Sequence, residues 1–200
     1  KIRQLRNGRS LSIIDLAGGH QPMSDAKGDV WVTFNGELYN YIELRSDVIQ
    51  RGCRLRSYSD TEVLINLYIC YGLEMFQHMN GMFAFALYDR RSGHILLARD
   101  RFGEKPLYYY SDGEQTLFAS EIKSILQAPG VPVEPDEAAL QEYLTFQYCL
   151  ADRTLFKNIR RLEPASYLLL SDVGKVLEGG RYWSLGFEED HSRDEEYYVD

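Results

Sequence analysis

An α+β fold built on antiparallel sheet is what this sequence predicts. Three observations carry that expectation: short β-rich runs recur along the chain, turn-forming residues separate them at hairpin spacing, and two helices open on cap sequences. The runs are "LSIID" (11–15), "VWVTF" (30–34), "MFAFALYD" (82–89), "HILLARD" (94–100), "PLYYY" (106–110), "TLFAS" (116–120) and "SYLLL" (166–170). "DRRSG" and "SDGEQ" join neighbouring runs and favour tight antiparallel connections over crossovers. A meander from about Met82 to Ser120 is therefore expected.

The helices have sequence-level starts. Asn40 followed by Glu43, and Ser59 followed by Glu62, both have capping-box spacing, which predicts helices opening near 41 and 60. In the second, Val63, Leu64, Leu67, Tyr68 and Tyr71 form an apolar stripe at helical spacing, suited to packing on a sheet. Further helices are expected at 120–127 and at 135–146, the latter with Pro135 near its first turn.

Composition narrows the function classes. A chain of 200 residues with 44% hydrophobic content can bury one sizeable core, so a single domain is the default. A net charge of −8 with no Lys/Arg cluster argues against nucleic acid as a partner. No apolar run approaches membrane-spanning length and the first ten residues lack a signal-peptide core, which predicts a cytoplasmic protein with no membrane partner. Cys53, Cys70 and Cys149 form no CxxC pair and are odd in number, so they read as reduced thiols with neither a disulfide framework nor a zinc site, and His20, His78, His94 and His191 show no ligand spacing, so no metal site is expected. Neither a GxGxxG nor a GxxxxGK phosphate loop occurs.

Several motifs allow two readings from the residues alone. Asn35-Gly36 in "FNGELYN" is either the centre of a type I′ hairpin or a pair of presented hydrogen-bond donors; only four residues separate it from the next helix, too few for a full return strand. Asp60, first after the Ser59 cap, would complement the positive end of a helix dipole. "ARDRFGEKPLYYY" (98–110) reads as a polar connection in which Gly103 takes an unusual backbone angle and Pro106 starts an edge strand. The "YYY" cluster reads as strand tyrosines with packed rings and wet hydroxyls.

Taken in order, "LSIIDLAGGHQPMSD", "FNGELYNYIELR", "SDTEVLINLYICYG", "NGMFAFALYD", "LARDRFGEKPLYY" and "FASEIKSIL" resemble the glutaminase domain of glutamine-hydrolysing asparagine synthetase, from about Ser10 to Trp183. Other class II glutamine amidotransferases, such as amidophosphoribosyltransferase and glutamate synthase, share the general scheme. The resemblance implies a four-layer αββα N-terminal-nucleophile hydrolase sandwich of two antiparallel sheets, here missing its first strands. It also implies hydrolysis of L-glutamine by an N-terminal cysteine whose own α-amine is the base. By the same resemblance Asn35 and Gly36 form the oxyanion hole, and Glu37 and Asp60 contact the substrate, Asp60 pairing with its α-ammonium. No cofactor is implied for this domain, while ATP and Mg would serve a C-terminal synthetase domain that amidates aspartate.

Two departures accompany the resemblance. The family's nucleophile precedes "GI" at the very N-terminus, whereas this chain begins with Lys1 and none of its cysteines carries a free amine, so hydrolysis by the family mechanism is not expected of it. The arginine that usually precedes "LSIID" and binds the substrate carboxylate is replaced by Ser10, with Arg9 one residue earlier; both stand as candidate carboxylate contacts, although a one-residue shift in a strand reverses the face. The expected organisation is a partial amidotransferase domain over 1–187 and an acidic linker over 188–200, truncated at both ends and prone to homo-oligomerise through unpaired edges. Two alternatives are a non-catalytic glutamine-binding or interaction domain, and an amidotransferase with another acceptor such as an antibiotic precursor. The codons upstream discriminate the first of these: an initiator Met followed directly by Cys favours the enzyme.

Overall fold

The computed structural model describes residues 20–113, 115–187, 192 and 197. The strand expected at 11–15, the candidates Arg9 and Ser10, and most of the acidic stretch 188–200 lie outside the described residues. In chain order the elements are β1 (Met23–Ser24), β2 (Val30–Leu38), α1 (Tyr41–Gln50), α2 (Asp60–Tyr71), a 3-10 segment (Gly72–Gln77), β3 (Gly81–Asp89) and β4 (His94–Arg99). They continue with β5 (Tyr108–Ser111), β6 (Thr116–Ala119), α3 (Ile122–Leu126), α4 (Glu137–Phe146), β7 (Ile159–Arg161), β8 (Ser166–Leu170) and β9 (Val176–Arg181). No helix among the described residues is long and apolar enough to cross a membrane.

Two antiparallel sheets result, a six-stranded one in the order β1-β2-β3-β4-β8-β9 and a three-stranded one in the order β6-β5-β7. Side-chain alternation builds the layers on them. Val30, Val32, Phe34 and Leu38 of β2 join Phe83, Phe85 and Leu87 of β3 beneath Leu44 and Val48 of α1 and Val63, Leu64 and Leu67 of α2. On the opposite face Ala84, Ala86, Ile95 and Leu97 meet Leu107, just before β5, and Tyr109 and Phe118 of the second sheet. Beyond that sheet, Tyr110, Leu117 and Ile159 pack on Ile125 of α3. The order helix–sheet–sheet–helix is the expected sandwich, and it explains why "FAFAL" in β3 is apolar on both faces.

The structure corrects several expectations. The meander does not run through: β4 takes β8 as its next neighbour, while β5 and β6 form their hairpin in the other sheet. The switch occurs where Arg99 and Asp100 fold the following loop into a tight turn. Asp100 is buried, and its carboxylate accepts from the N–H groups of Phe83 (3.1 Å), Phe102 (3.1 Å), Glu104 (2.9 Å) and Lys105 (3.0 Å). Arg99 donates to the carbonyls of Lys105 (2.6 Å), Leu162 (2.8 Å) and Gly103. Gly103 takes the expected left-handed angle, φ +68°, but Pro106 does not open an edge strand, because β7 arrives from far along the chain and makes β5 central.

Only one of the two capping boxes contributes a cap. Ser59 Oγ accepts from Thr61 N–H at 3.2 Å, but Glu62 turns away and accepts from the N–H groups of Arg56 and Ser57 and from Ser57 Oγ. Asn40 makes no cap; its amide donates to His78 O (2.9 Å) and accepts from Asn80 N–H (3.0 Å), tying β2's exit to β3's entry. The strand beginning "VWVTF" does not turn at Asn35-Gly36 but continues to Leu38, which removes the hairpin reading.

Candidate functional site

The site builds from hydrogen-bond parity along β2. Gly36 lies opposite Phe83 in the β2–β3 ladder, yet Phe83 directs its own N–H and C=O to Asp100 on the β4 side, the carbonyl accepting from Asp100 N–H at 2.8 Å. In an antiparallel ladder this makes Gly36–Phe83 a non-hydrogen-bonded pair, so Gly36 N–H points out of the other edge of β2. Its neighbours on that edge are capped by side chains. Phe34 N–H donates to Gln21 Oε1 at 2.6 Å, and Leu38 N–H donates to Asp60 Oδ2 at 3.2 Å. Among the described residues, the Gly36 donor is thus presented between two satisfied ones.

Glycine is required at this point. Gly36 has φ +150°, and a Cβ there would stand 2.0 Å from Met82 O and 2.7 Å from Phe83 Cα, closer than any side chain tolerates. The neighbouring Asn35 side chain lies on the face of β2 shared with Ala84, which looks toward the second sheet. It is exposed, and its amide donates to Ser120 Oγ at 3.5 Å just past the end of β6. Glu37, half-buried, follows on the same face.

Asp60 is placed by the Ser59 cap at the first position of α2 and is almost fully buried, 6% exposed. Burial pushes its carboxyl above the usual carboxylate range; the N–H groups of Leu38 and Thr61 pull it back in part, and the charge of Glu37 adds to the rise. Tyr39 feels the same field, its phenol raised first by desolvation and then by Glu104, Glu37 and Asp100. This end of β2 therefore places a buried, negative carboxylate near an outward N–H and an exposed amide with one long hydrogen bond. Such a surface accepts a cation at Asp60 and donates hydrogen bonds to an oxygen at Asn35 and Gly36.

Residue by residue, the structure brings Asn35, Gly36, Glu37 and Asp60 to one edge of the large sheet. The cysteines lie elsewhere: Cys53 and Cys70 meet in the helix layer, and Cys149 Sγ donates to Ala139 O of α4. Glu121 and Lys123, exposed at the start of α3, pair with each other. Among the described residues no group of three or more His, Cys, Asp or Glu could hold a metal ion. Sequence reasoning missed Gln21, Ser120 and Asp100. A lone Asp flanked by two arginines carries no sequence signal of four backbone acceptances, and neither Gln21 nor Ser120, the last residue of the run 116–120, carries a pattern that marks it.

A family model for the glutamine amidotransferase domain matches residues 4–183. This chain belongs to the glutamine amidotransferase domain family. Within the family it is 41% identical over 168 residues to asparagine synthetase [glutamine-hydrolyzing] 1 of Bacillus subtilis, covering 84% of this chain and 26% of that protein. It is 39% identical over 183 residues to asparagine synthetase [glutamine-hydrolyzing] 3 of the same organism, covering 90% and 30%. The amidotransferase chain thus spans under a third of these relatives' length. Among solved structures, glutamine phosphoribosylpyrophosphate amidotransferase from B. subtilis shares the fold, with TM-score 0.55 and 21% identity over 82% of this chain and 32% of its own.

Proposed function

We propose that this chain is the glutamine-recognising domain of an asparagine synthetase, in which the amide nitrogen of L-glutamine is released for transfer to aspartate. The observation that carries this reading is the outward Gly36 N–H held beside the Asn35 amide, one strand step from the buried Asp60 carboxylate. The identity to two asparagine synthetases supports the acceptor.

Each residue has a role derived from its place. Asp60, desolvated and negative, receives the substrate α-ammonium, an interaction strengthened by the low local polarity. Glu37 adds negative potential and orients that end of the ligand. With the ammonium fixed, the side-chain amide carbonyl extends along the β2 edge to Gly36 N–H and Asn35 Nδ2. Attack on that carbonyl puts negative charge on its oxygen, and two preset donors stabilise it more than they stabilise the neutral amide. None of Cys53, Cys70 and Cys149 lies at this edge, so what we assign to these residues is recognition and oxyanion stabilisation, not the nucleophile. We assign ATP and Mg chemistry to a synthetase portion outside this domain, and it enters no step here.

Calorimetry with L-glutamine and with its analogue lacking the α-amino group tests the reading. Millimolar or tighter binding of glutamine, and none of the analogue, is expected. Equal binding of both, or no binding of glutamine, would overturn it.

A further inference from the structure

Two thiols that the glutamine site does not use meet in the helix layer. Cys53 Sγ and Cys70 Sγ stand 3.2 Å apart, and both residues are half-buried. The contact is prepared by the backbone. Past the end of α1, Gly52 N–H donates to Ile49 O (2.9 Å) and Cys53 N–H to Val48 O (3.0 Å), with Gly52 at φ +92°. This is a Schellman closure, in which glycine takes the left-handed position and the next residue is turned back onto the helix. Cys53 is thereby held against the last turn of α2, where Cys70 sits.

We infer that Cys53 and Cys70 are a thiol–disulfide pair, closed by a small disulfide oxidant, that clasps the end of α1 to the end of α2. A disulfide needs about 2.05 Å between sulfurs, so the pair must approach by about 1.2 Å, a shift that the loop position of Cys53 allows. The electrons balance by exchange. The Cys53 thiolate attacks one sulfur of the oxidant RSSR, breaking its S–S bond and expelling RS⁻; the Cys70 thiolate then attacks the Cys53 sulfur and expels the second RS⁻. One S–S bond forms for one broken, the protein thiols are oxidised, and their two protons leave on two RSH. Burial, then the hydrogen bond shared with Cys53, push the Cys70 thiol up to about 11, which makes the closing step slow rather than absent.

The clasp acts on stability and not on the glutamine pocket. Cys70 lies ten residues along α2 from Asp60, about 15 Å at helical rise. The bond would close a loop spanning 17 positions, restricting the unfolded chain. Its test is independent of the proposed function. The chain is incubated with oxidised glutathione, then analysed by thiol titration, non-reducing peptide mass mapping and thermal unfolding. Expected are a fall from three free thiols to one, a linked pair of peptides carrying Cys53 and Cys70, and a rise in Tm of about 5–10 °C that dithiothreitol reverses. Cys149→Ala should close equally, while Cys53→Ser should not. Three free thiols after treatment, glutathione adducts alone, a bond to Cys149 or a linked pair with unchanged Tm would overturn the inference.

Discussion

Asp60→Asn separates the two consequences of burying this carboxylate. The substitution is close to isosteric, and its amide oxygen can still accept from Leu38 N–H, whereas Asp60→Ala would leave that donor unpaired at a cost of about 1–3 kcal/mol. What Asn removes is charge. Truncating one partner of a desolvated charge pair costs about 2–5 kcal/mol, so glutamine Kd should rise at least about 30-fold. Stability should move the other way. The Asp60 carboxyl titrates higher folded than unfolded, because burial outweighs the Leu38 and Thr61 hydrogen bonds. Between the unfolded value, about 3.9, and the raised folded value, the folded chain binds more protons. Stability is therefore fully present below the unfolded value and falls as pH rises through that window. At neutral pH the ionised carboxylate is a net burden, reduced but not cancelled by the helix dipole, worth about 0.3–1 kcal/mol. The Asn variant should unfold at a Tm equal to or above the parent's, by up to about 4 °C, and lack part of the parent's loss of stability above pH 4. Paired calorimetry and thermal scans from pH 3.5 to 7 decide this. Glutamine binding within threefold of the parent, or a Tm lowered by several degrees, would refute the reasoning.

Three further outcomes follow from the same geometry. Gly36→Ala places a methyl 2.0 Å from Met82 O in a strand that cannot yield, so stability should fall by more than about 3 kcal/mol, read as a collapsed denaturation midpoint; an unchanged midpoint would contradict the close approach. Asn35→Ala removes an exposed amide with one long hydrogen bond, so Tm should move by less than about 2 °C, while under the proposed function any glutaminase kcat should drop about 10²–10³-fold. Asp100→Asn turns an amide donor toward backbone N–H groups the carboxylate now accepts, and should cost about 2–4 kcal/mol in urea unfolding while faster hydrogen exchange spreads from Phe102 to Lys105.

What the sequence made legible is what period and capping encode. The strands at 82–89, 94–100, 116–120 and 166–170 and the helices opening at 41 and 60 all appear within two residues, because each combines apolar periodicity with a local stop signal. The cap at Asn40 misled because an Asn amide can satisfy either its own helix or a neighbouring chain, and tertiary contacts with His78 and Asn80 won. β7 escaped notice because it is three residues long, and β9 because "VLEGGR" carries two glycines and buries nothing. The sheet switch after β4 was hidden in Asp100, whose role is decided by four backbone groups and by no pattern of side chains. The Asn35-Gly36 ambiguity was real at the level of residues: the same dipeptide suits a type I′ turn and a presented donor pair, and only the register with β3 resolves it.

The site is consistent with a rule that functional sites break local rules which the surrounding structure then enforces. A strand edge normally hides or caps its donors, and β2 does so at Phe34 with Gln21 and at Leu38 with Asp60. Between them the chain spends a glycine at φ +150°, wedged against Met82, to keep one donor turned outward. The helix start that should welcome an acid instead buries it until its charge becomes unfavourable. Both costs are local, and under the proposed function both would be recovered by one kind of ligand: a cation that restores the charge balance at Asp60, joined by a short chain to an oxygen that meets the Gly36 N–H. A zwitterionic amino acid with a carbonyl at the end of its side chain has that shape. A ligand with either end alone would relieve one cost and leave the other standing.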